Sequence, residues 1–266
     1  VKRREQIEKQ LSSTGNTLHA AETVAAGLGG PVNLINMAQA QGKKVAAEGD
    51  TVGLCYPVHA FSAPAVVHRF LENFSVHPDS WVYLLLTSGG GPMGAGTQGM
   101  RLLARRGVKA RSVFHVRMPG NYSPMRDSPS GEKLRRMVAR GDKGLAVVLE
   151  DLRARRERMP RWPFLGWLSE KANASALASA GAEDRSFYAS SSCVRCGVCV
   201  AVCPVANVVQ GEDGKPRWLG HCTRCMACFH WCPARAVQFN TTTSLGRHRY
   251  HHPAVTPERF LAWSGR

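Results

Sequence analysis

Beyond a charged start, the apolar positions of this chain switch between helical spacing and short continuous runs in a regular way. Leu18–Leu28 is apolar at helical spacing. Val32–Met37 and Thr51–Tyr56 have strand length and strand composition. Ala63–Phe74 returns to the helical period, with Pro64 suited to an early helical position. Trp81-Val82-Tyr83-Leu84-Leu85-Leu86 is continuously apolar, as a strand covered on both faces must be. Pro92–Arg106 reads as a helix and Val108–Val116 as a strand. Gly131–Arg158 is a charged helix with an apolar stripe at Leu134, Val138, Leu145, Val148 and Leu152. Strands alternating with helices predict a parallel sheet with helices on both faces. Such sheets bind ligands at the carboxyl ends of their strands. The loops there are Pro57-Val58-His59-Ala60-Phe61, Thr87-Ser88-Gly89-Gly90-Gly91-Pro92 and Met118-Pro119-Gly120-Asn121-Tyr122.

Ahead of the first helix stands Ser12-Ser13-Thr14-Gly15-Asn16-Thr17. An ordinary helix cap is the commoner use of such a stretch. At the start of an alternating pattern it also suits a phosphate, which hydroxyls, backbone N–H groups and the positive end of a helix would hold. The segment before it breaks the pattern. Lys2-Arg3-Arg4-Glu5-Gln6-Ile7-Glu8-Lys9-Gln10 has Ile7 as its only apolar residue, whereas a central parallel strand is near-continuously hydrophobic. Residues 1–10 are therefore expected to make a poor central strand. The chain starts at Val1 and not Met, and a displaced start would explain both oddities.

The last third carries the most specific signal. Eight of the nine cysteines form two copies of one spacing: Cys193-x-x-Cys196-x-x-Cys199-x-x-x-Cys203-Pro204 and Cys222-x-x-Cys225-x-x-Cys228-x-x-x-Cys232-Pro233. This is the bacterial-type run for cubane iron–sulfur clusters, whose fourth cysteine ligates the other cube. The expected sets are Cys193, Cys196, Cys199 and Cys232 for one [4Fe–4S] cluster, and Cys222, Cys225, Cys228 and Cys203 for the other. Structural zinc prefers separated pairs of cysteines, and a disulfide framework suits a short secreted chain. Cys55 ends an apolar strand and reads as a small core residue.

Together these pieces resemble one family, the flavodoxin–ferredoxin fusion proteins. The matching segments are Ser12–Thr17, Tyr56-Pro57-Val58, Thr87–Gly91, Met118–Tyr122, both cysteine runs, and Arg249-Tyr250-His251-His252-Pro253. The resemblance implies an α/β flavodoxin-like doubly wound parallel sheet, followed by a small α+β bacterial ferredoxin-like domain with two clusters. It implies FMN held by Ser12, Thr14, Gly15, Asn16 and Thr17 at its phosphate. Pro57, Val58, His59, Phe61, Ser88, Gly89 and Gly90 would flank the isoalloxazine. His59 and Ser88 stand where an aromatic residue is expected beside the ring, with Phe61 as a substitute. The expected units are 1–160, a linker at 161–186, and 187–266.

Composition refines this picture little. The formal charge of +16 over 266 residues falls to about +10 once two oxidised cubes and a flavin phosphate are counted. A basic surface favours a redox partner protein of acidic character. Arg153, Arg155, Arg156, Arg158 and Arg161 read as a solvated helix face, since no nucleic-acid motif accompanies them. His248, His251 and His252 could ligate a metal, but a tail covering the sheet or the clusters is the plainer reading. No stretch is apolar enough for a membrane span. Trp162–Leu168 suits packing between the units better than a peripheral membrane contact. Lys171–Ala182 reads as a link. Thiolate ligands and the absence of a signal-like start suit the cytoplasm. The function expected is electron transfer coupling FMN to two [4Fe–4S] clusters. The rival is a ferredoxin-type carrier whose flavodoxin-like part is a flavin-free docking module.

Overall fold

The computed structural model describes residues 6–160, 184–240 and 244–265. The segments Trp162–Leu168 and Lys171–Ala182 lie outside them. The N-terminal part runs β1 (Gln6–Gln10), α1 (Asn16–Leu28), β2 (Val32–Asn36), β3 (Val45–Ala47), β4 (Thr51–Pro57), α2 (Ala65–Glu72), β5 (Phe74–Val76), β6 (Trp81–Ser88), α3 (Ala95–Ala104), β7 (Ala110–Arg117) and α4 (Gly131–Arg153). Five strands form one parallel sheet in the order β2-β1-β4-β6-β7. This is the flavodoxin-like order, in which the connection reverses direction beside the first strand. A short parallel pair, β3 with β5, was not foreseen from the sequence.

Alternate residues of the central strands feed two cores. Val52, Leu54, Tyr56, Leu84 and Leu86 meet Val66, Val67, Phe70, Leu71 and Leu103 on one face. Cys55, Tyr83, Leu85, Phe114 and Val116 meet Ala20, Ala21, Val24, Leu145, Val148 and Leu152 on the other. Helices α2 and α3 thus cover one face and α1 and α4 the other. The stripe expected on α4 is buried at Leu145, Val148 and Leu152 and half-buried at Leu134 and Val138.

Three expectations need correction. The first concerns residues 1–10. Gln6–Gln10 is an interior strand, paired in parallel over five residues with β2 on one side and β4 on the other. Main-chain hydrogen bonding on both edges is indifferent to side-chain polarity. Without this strand, the inner edges of β2 and β4 would be left unpaired. The second concerns α2, which ends at Glu72 because Phe74 starts β5 against Val45. The third concerns α4, which stops at Arg153. Arg155 turns with φ +48, Asp151 accepts hydrogen bonds from the Arg156 and Arg158 side chains, and Val113 N–H donates to Arg158 O at 2.7 Å. Arg155, Arg156 and Arg158 are solvent-exposed as expected, but they follow the helix, and Arg156 and Arg158 are tied beside β7 through Asp151. Arg161 lies outside the described residues.

The C-terminal part is built from very short elements. β8 (Phe187–Ala189) pairs antiparallel with β11 (Val237–Phe239), and β9 (Val208–Gln210) with β10 (Pro216–Trp218). Between them lie α5 (Val198–Ala201) and α6 (Ala227–His230), and α7 (Pro257–Ser264) closes the chain. The backbone repeats at the offset that separates the two cysteine runs. Arg195 and Arg224 have φ +56 and +55, Gly197 and Met226 +73 and +61, and Ala206 and Arg235 +52 and +51. The two runs therefore fold as two copies of one loop.

Polar residues in β1 leave a cost that can be measured. Gln10 is 0% exposed, and neither its Nε2 nor its Oε1 has a hydrogen-bond partner among the described residues. A buried unpaired amide costs about 1–3 kcal/mol. Gln10→Met keeps the length and removes the polar atoms, so it should raise the unfolding temperature by a few degrees in a thermal melt. A lower melting temperature would show that the amide is satisfied in solution.

Candidate functional site

The cysteine runs converge as two groups of four. One cavity is lined by Cys193, Cys196, Cys199 and Cys232, together with Val194, Gly197 and Pro233. Burial pushes the Cys199 thiol up to about 11, and Cys232 and Cys196 add to the effect. Burial likewise pushes Cys222 up to about 11, with Cys203 adding. Cys225 and Cys228 are raised further by burial and by Cys222 and Cys203. Each last cysteine thus lies with the other run's triplet. Backbone N–H groups meet the sulfurs at equivalent places: Asn207 N–H to Cys203 Sγ and Ala236 N–H to Cys232 Sγ, both at 3.2 Å.

This donor set fits an iron–sulfur cube. Crowded buried thiols resist ionisation as free groups, and a cluster of cations reverses that preference. Soft sulfur from four directions matches iron–sulfur chemistry.

The second set of residues lies at the carboxyl edge of the sheet. Ser12, Ser13, Thr14 and Thr17 are buried at the start of α1, next to the switch between β1 and β4. Ser12 Oγ accepts from Gly15 N–H at 3.1 Å, and Thr17 Oγ1 meets Thr87 Oγ1 at 2.8 Å. Gly15 turns with φ +86, and a Cβ there would lie 3.0 Å from Val255 Cβ, so only glycine fits. Four buried hydroxyls at the N-terminus of a 13-residue helix suit a phosphate dianion.

The flanking loops are tightly built. Val58 N–H donates to Thr87 O, and His59 exchanges two backbone bonds with Ser62. Pro57 ends β4. Ser88 Oγ lies 2.9 Å from Gly90 O and 2.8 Å from His115 Nε2. Gly89 packs on the Gly120 backbone so closely that a Cβ would come within 2.7 Å of Gly120 Cα. Phe61 is 54% exposed, and Ala60, Phe61 and Met93 hold left-handed φ of 45, 66 and 45. Strained residues carrying exposed apolar side chains thus stand at the carboxyl edge of the sheet.

The sequence did not reveal what covers the 12–17 loop. Trp231 Nε1 donates to Ser13 O at 2.8 Å, and His252 N–H donates to Thr14 O at 2.8 Å. These contacts take the loop's carbonyl oxygens and not its N–H groups. Asn16, expected at the phosphate, instead donates from Nδ2 to Pro119 O at 2.9 Å and accepts at Oδ1 from the Tyr250 hydroxyl. Asn121 Nδ2 donates to Cys225 O at 3.3 Å, and His230 Nε2 donates to Asn121 O at 2.7 Å. His230 Nδ1 accepts from Tyr250 N–H at 3.1 Å, and burial holds the ring neutral with a pKa of about 4. Leu18, Val202, Ala227, Trp231, Val255 and Phe260 form the apolar centre of this contact. A signal for it was present in Arg249–Pro253, whose partners the sequence could not name. His251 stacks on Trp231, and His248 pairs with Asp127 at 2.7 Å.

Comparison with known proteins agrees with the cysteine geometry. Residues 185–233 match a family model described as a 4Fe-4S dicluster domain. A search of curated proteins gave no match. Among solved structures, an FMN-dependent NADH-azoreductase from Bacillus anthracis in complex with FMN is 9% identical, with 57% of this chain and 98% of that one covered and a TM-score of 0.40. NAD(P)H:quinone oxidoreductase from Methanothermobacter marburgensis is 11% identical, covering 60% and 100%, at 0.37. Rubredoxin oxygen:oxidoreductase from Desulfovibrio gigas is 13% identical, covering 55% and 36%, at 0.34. At such scores the strand order, not the likeness, carries the fold. The C-terminal part is a ferredoxin-type 4Fe-4S domain joined to a flavodoxin-like sheet.

The contact between the two parts is testable. Trp231→Phe and Tyr250→Phe each keep a ring and remove one hydrogen bond, worth about 0.5–1.5 kcal/mol. Asn16→Ala removes two partners and should cost more than either. All three should lower the unfolding temperature. Unchanged melting would mean that the contact does not form in solution.

Proposed function

We propose that the protein is an electron-transfer protein coupling FMN to two [4Fe–4S] clusters, with units at 1–160 and 187–266 and a linker between. Cys193, Cys196, Cys199 and Cys232 would hold one cluster, and Cys222, Cys225, Cys228 and Cys203 the other. Ser12, Thr14, Gly15 and Thr17 would hold the FMN phosphate. Pro57, Val58, His59, Phe61, Ser88, Gly89 and Gly90 would flank the ring. FMN exchanges one or two electrons and each cube exchanges one, so together they join two-electron to one-electron chemistry.

The observation that carries this reading is Asn121. It belongs to a loop at the carboxyl edge of the sheet and donates directly to the Cys225 carbonyl. The cluster of Cys225 would therefore be the one nearer the flavin, and the cluster of Cys193 the outer one. The chain's own residues bind, orient and cover the cofactors; the thiols are ligands and not nucleophiles. The natural partner is a redox protein.

A second reading has one observation in its favour. The phosphate loop is already buried, with Asn16 engaged by Pro119 and Tyr250. On that reading the sheet is a flavin-free platform for a ferredoxin-type carrier.

Cofactor analysis of anaerobically purified protein separates the two. The first reading requires about eight irons and eight sulfides per chain with one FMN. Thr14→Ala should then weaken FMN binding roughly tenfold or more, since hydrogen bonds to charged groups are worth about 1.5–3 kcal/mol. Full iron without flavin would select the second. Cys203→Ala should abolish the same cluster signal as Cys228→Ala in electron paramagnetic resonance. If it removed the signal lost in Cys199→Ala, the crossed ligation would be wrong.

A further inference from the structure

One group of ligating side chains has no part in the proposed electron transfer. His19 on α1, Asp142 on α4 and His252 in the C-terminal tail each bring one ligand atom within 4.8 Å of the other two. His19 Nε2 lies 2.8 Å from Asp142 Oδ1. The imidazoles of His19 and His252 stack with centroids 4.0 Å apart and planes 18° from parallel.

The arrangement is costly as it stands. His252 is 1% exposed, and its Nε2 is buried with no hydrogen-bond partner among the described residues. Native structures rarely leave such an atom unpaired without a reason. Two facing imidazoles also repel if both are protonated. Burial, with His19 adding, brings the His252 pKa down to about 4. Its ring is therefore neutral at ordinary pH, the form that ligates metals.

We propose that His19, Asp142 and His252 form a site for one divalent ion of the zinc class, separate from the cysteine ligands. Two imidazoles and a carboxylate are borderline donors. They suit zinc better than calcium or magnesium, which prefer oxygen alone, or a cubane, which takes thiolates. Three protein ligands leave a fourth position for water. Asp142, whose side chain is 49% exposed, opens that side to solvent.

Binding requires the stacked rings of His19 and His252 to turn out of parallel, because an ion must lie in the plane of each imidazole it ligates. Zinc bonds of about 2.0–2.1 Å in a tetrahedron set ligand atoms about 3.3 Å apart. His19 and Asp142 must separate slightly, and the proton between them leaves to solvent. If His252 binds through Nε2, its remaining proton sits on Nδ1. That tautomer gives up the 3.3 Å bond from Ala254 N–H.

The consequence is mechanical. His252 also donates its own N–H to Thr14 O. An ion here would pin the tail to α1 and α4 directly beside the 12–17 loop. The inference does not depend on whether FMN binds.

The test uses the full chain, purified anaerobically with its iron in place and titrated with Zn²⁺ alone. Zinc and iron per chain are read by plasma mass spectrometry after buffer exchange, alongside the unfolding temperature. The expected result is one zinc per chain, unchanged iron and a higher unfolding temperature. Asp142→Ala changes an exposed helix position. It should weaken zinc binding at least about tenfold and abolish the thermal shift. His252→Gln should do the same, whereas Asp142→Glu should retain zinc. Equal zinc uptake by the original chain and Asp142→Ala would overturn the proposal. So would zinc that enters only as iron leaves, since that metal would be on the cysteines.

Discussion

Four sulfurs gathered within reach of one another, twice over, cannot all carry charge without a cation among them. The C-terminal part is organised around that constraint. Its strands are three residues long and the helices of its two cysteine runs four, too short to persist by backbone hydrogen bonding alone. The cysteines raised by burial and by each other mark where binding energy must come from. The repeated left-handed turns at Arg195 and Arg224, and at Ala206 and Arg235, aim the sulfurs inward. Arg249 then ties the outside, donating to the carbonyls of Phe229, Arg235 and Val237.

The sheet meets this ferredoxin-type part through polar main-chain acceptors around an apolar centre. Trp231 is the middle of it, stacked between His251 and Phe260 while its Nε1 reaches Ser13 O. The contact uses the loop's carbonyls, while Ser12 Oγ and Thr17 Oγ1 find partners within the sheet part.

Much of the layout was legible. Cysteine spacing is a statement about local geometry, so it survives any tertiary context. The continuous apolar run at Trp81–Leu86 reads as a strand covered on both faces, and it lies inside the sheet between β4 and β7. Helix ends were less legible. Phe74 was read as helical because its apolar character fits either period, and pairing with Val45 decided it. The end of α4 depended on Asp151, an acid buried between two arginines.

The sequence by itself determined the two cluster motifs, the alternation of strands and helices, and a hydroxyl-rich loop ahead of the first helix. Each is written in neighbouring residues, where spacing alone dictates the geometry. Tertiary structure decided the rest. Gln6–Gln10 is an interior strand because two neighbouring strands supply its hydrogen bonds, whatever its side chains prefer. Asn16 serves the contact between the two parts because Tyr250 and Pro119 reach it first. His19, Asp142 and His252 meet only because the tail returns across α1 and α4. Contacts between residues more than a hundred positions apart leave no period in a sequence, and only the packed chain brings them together.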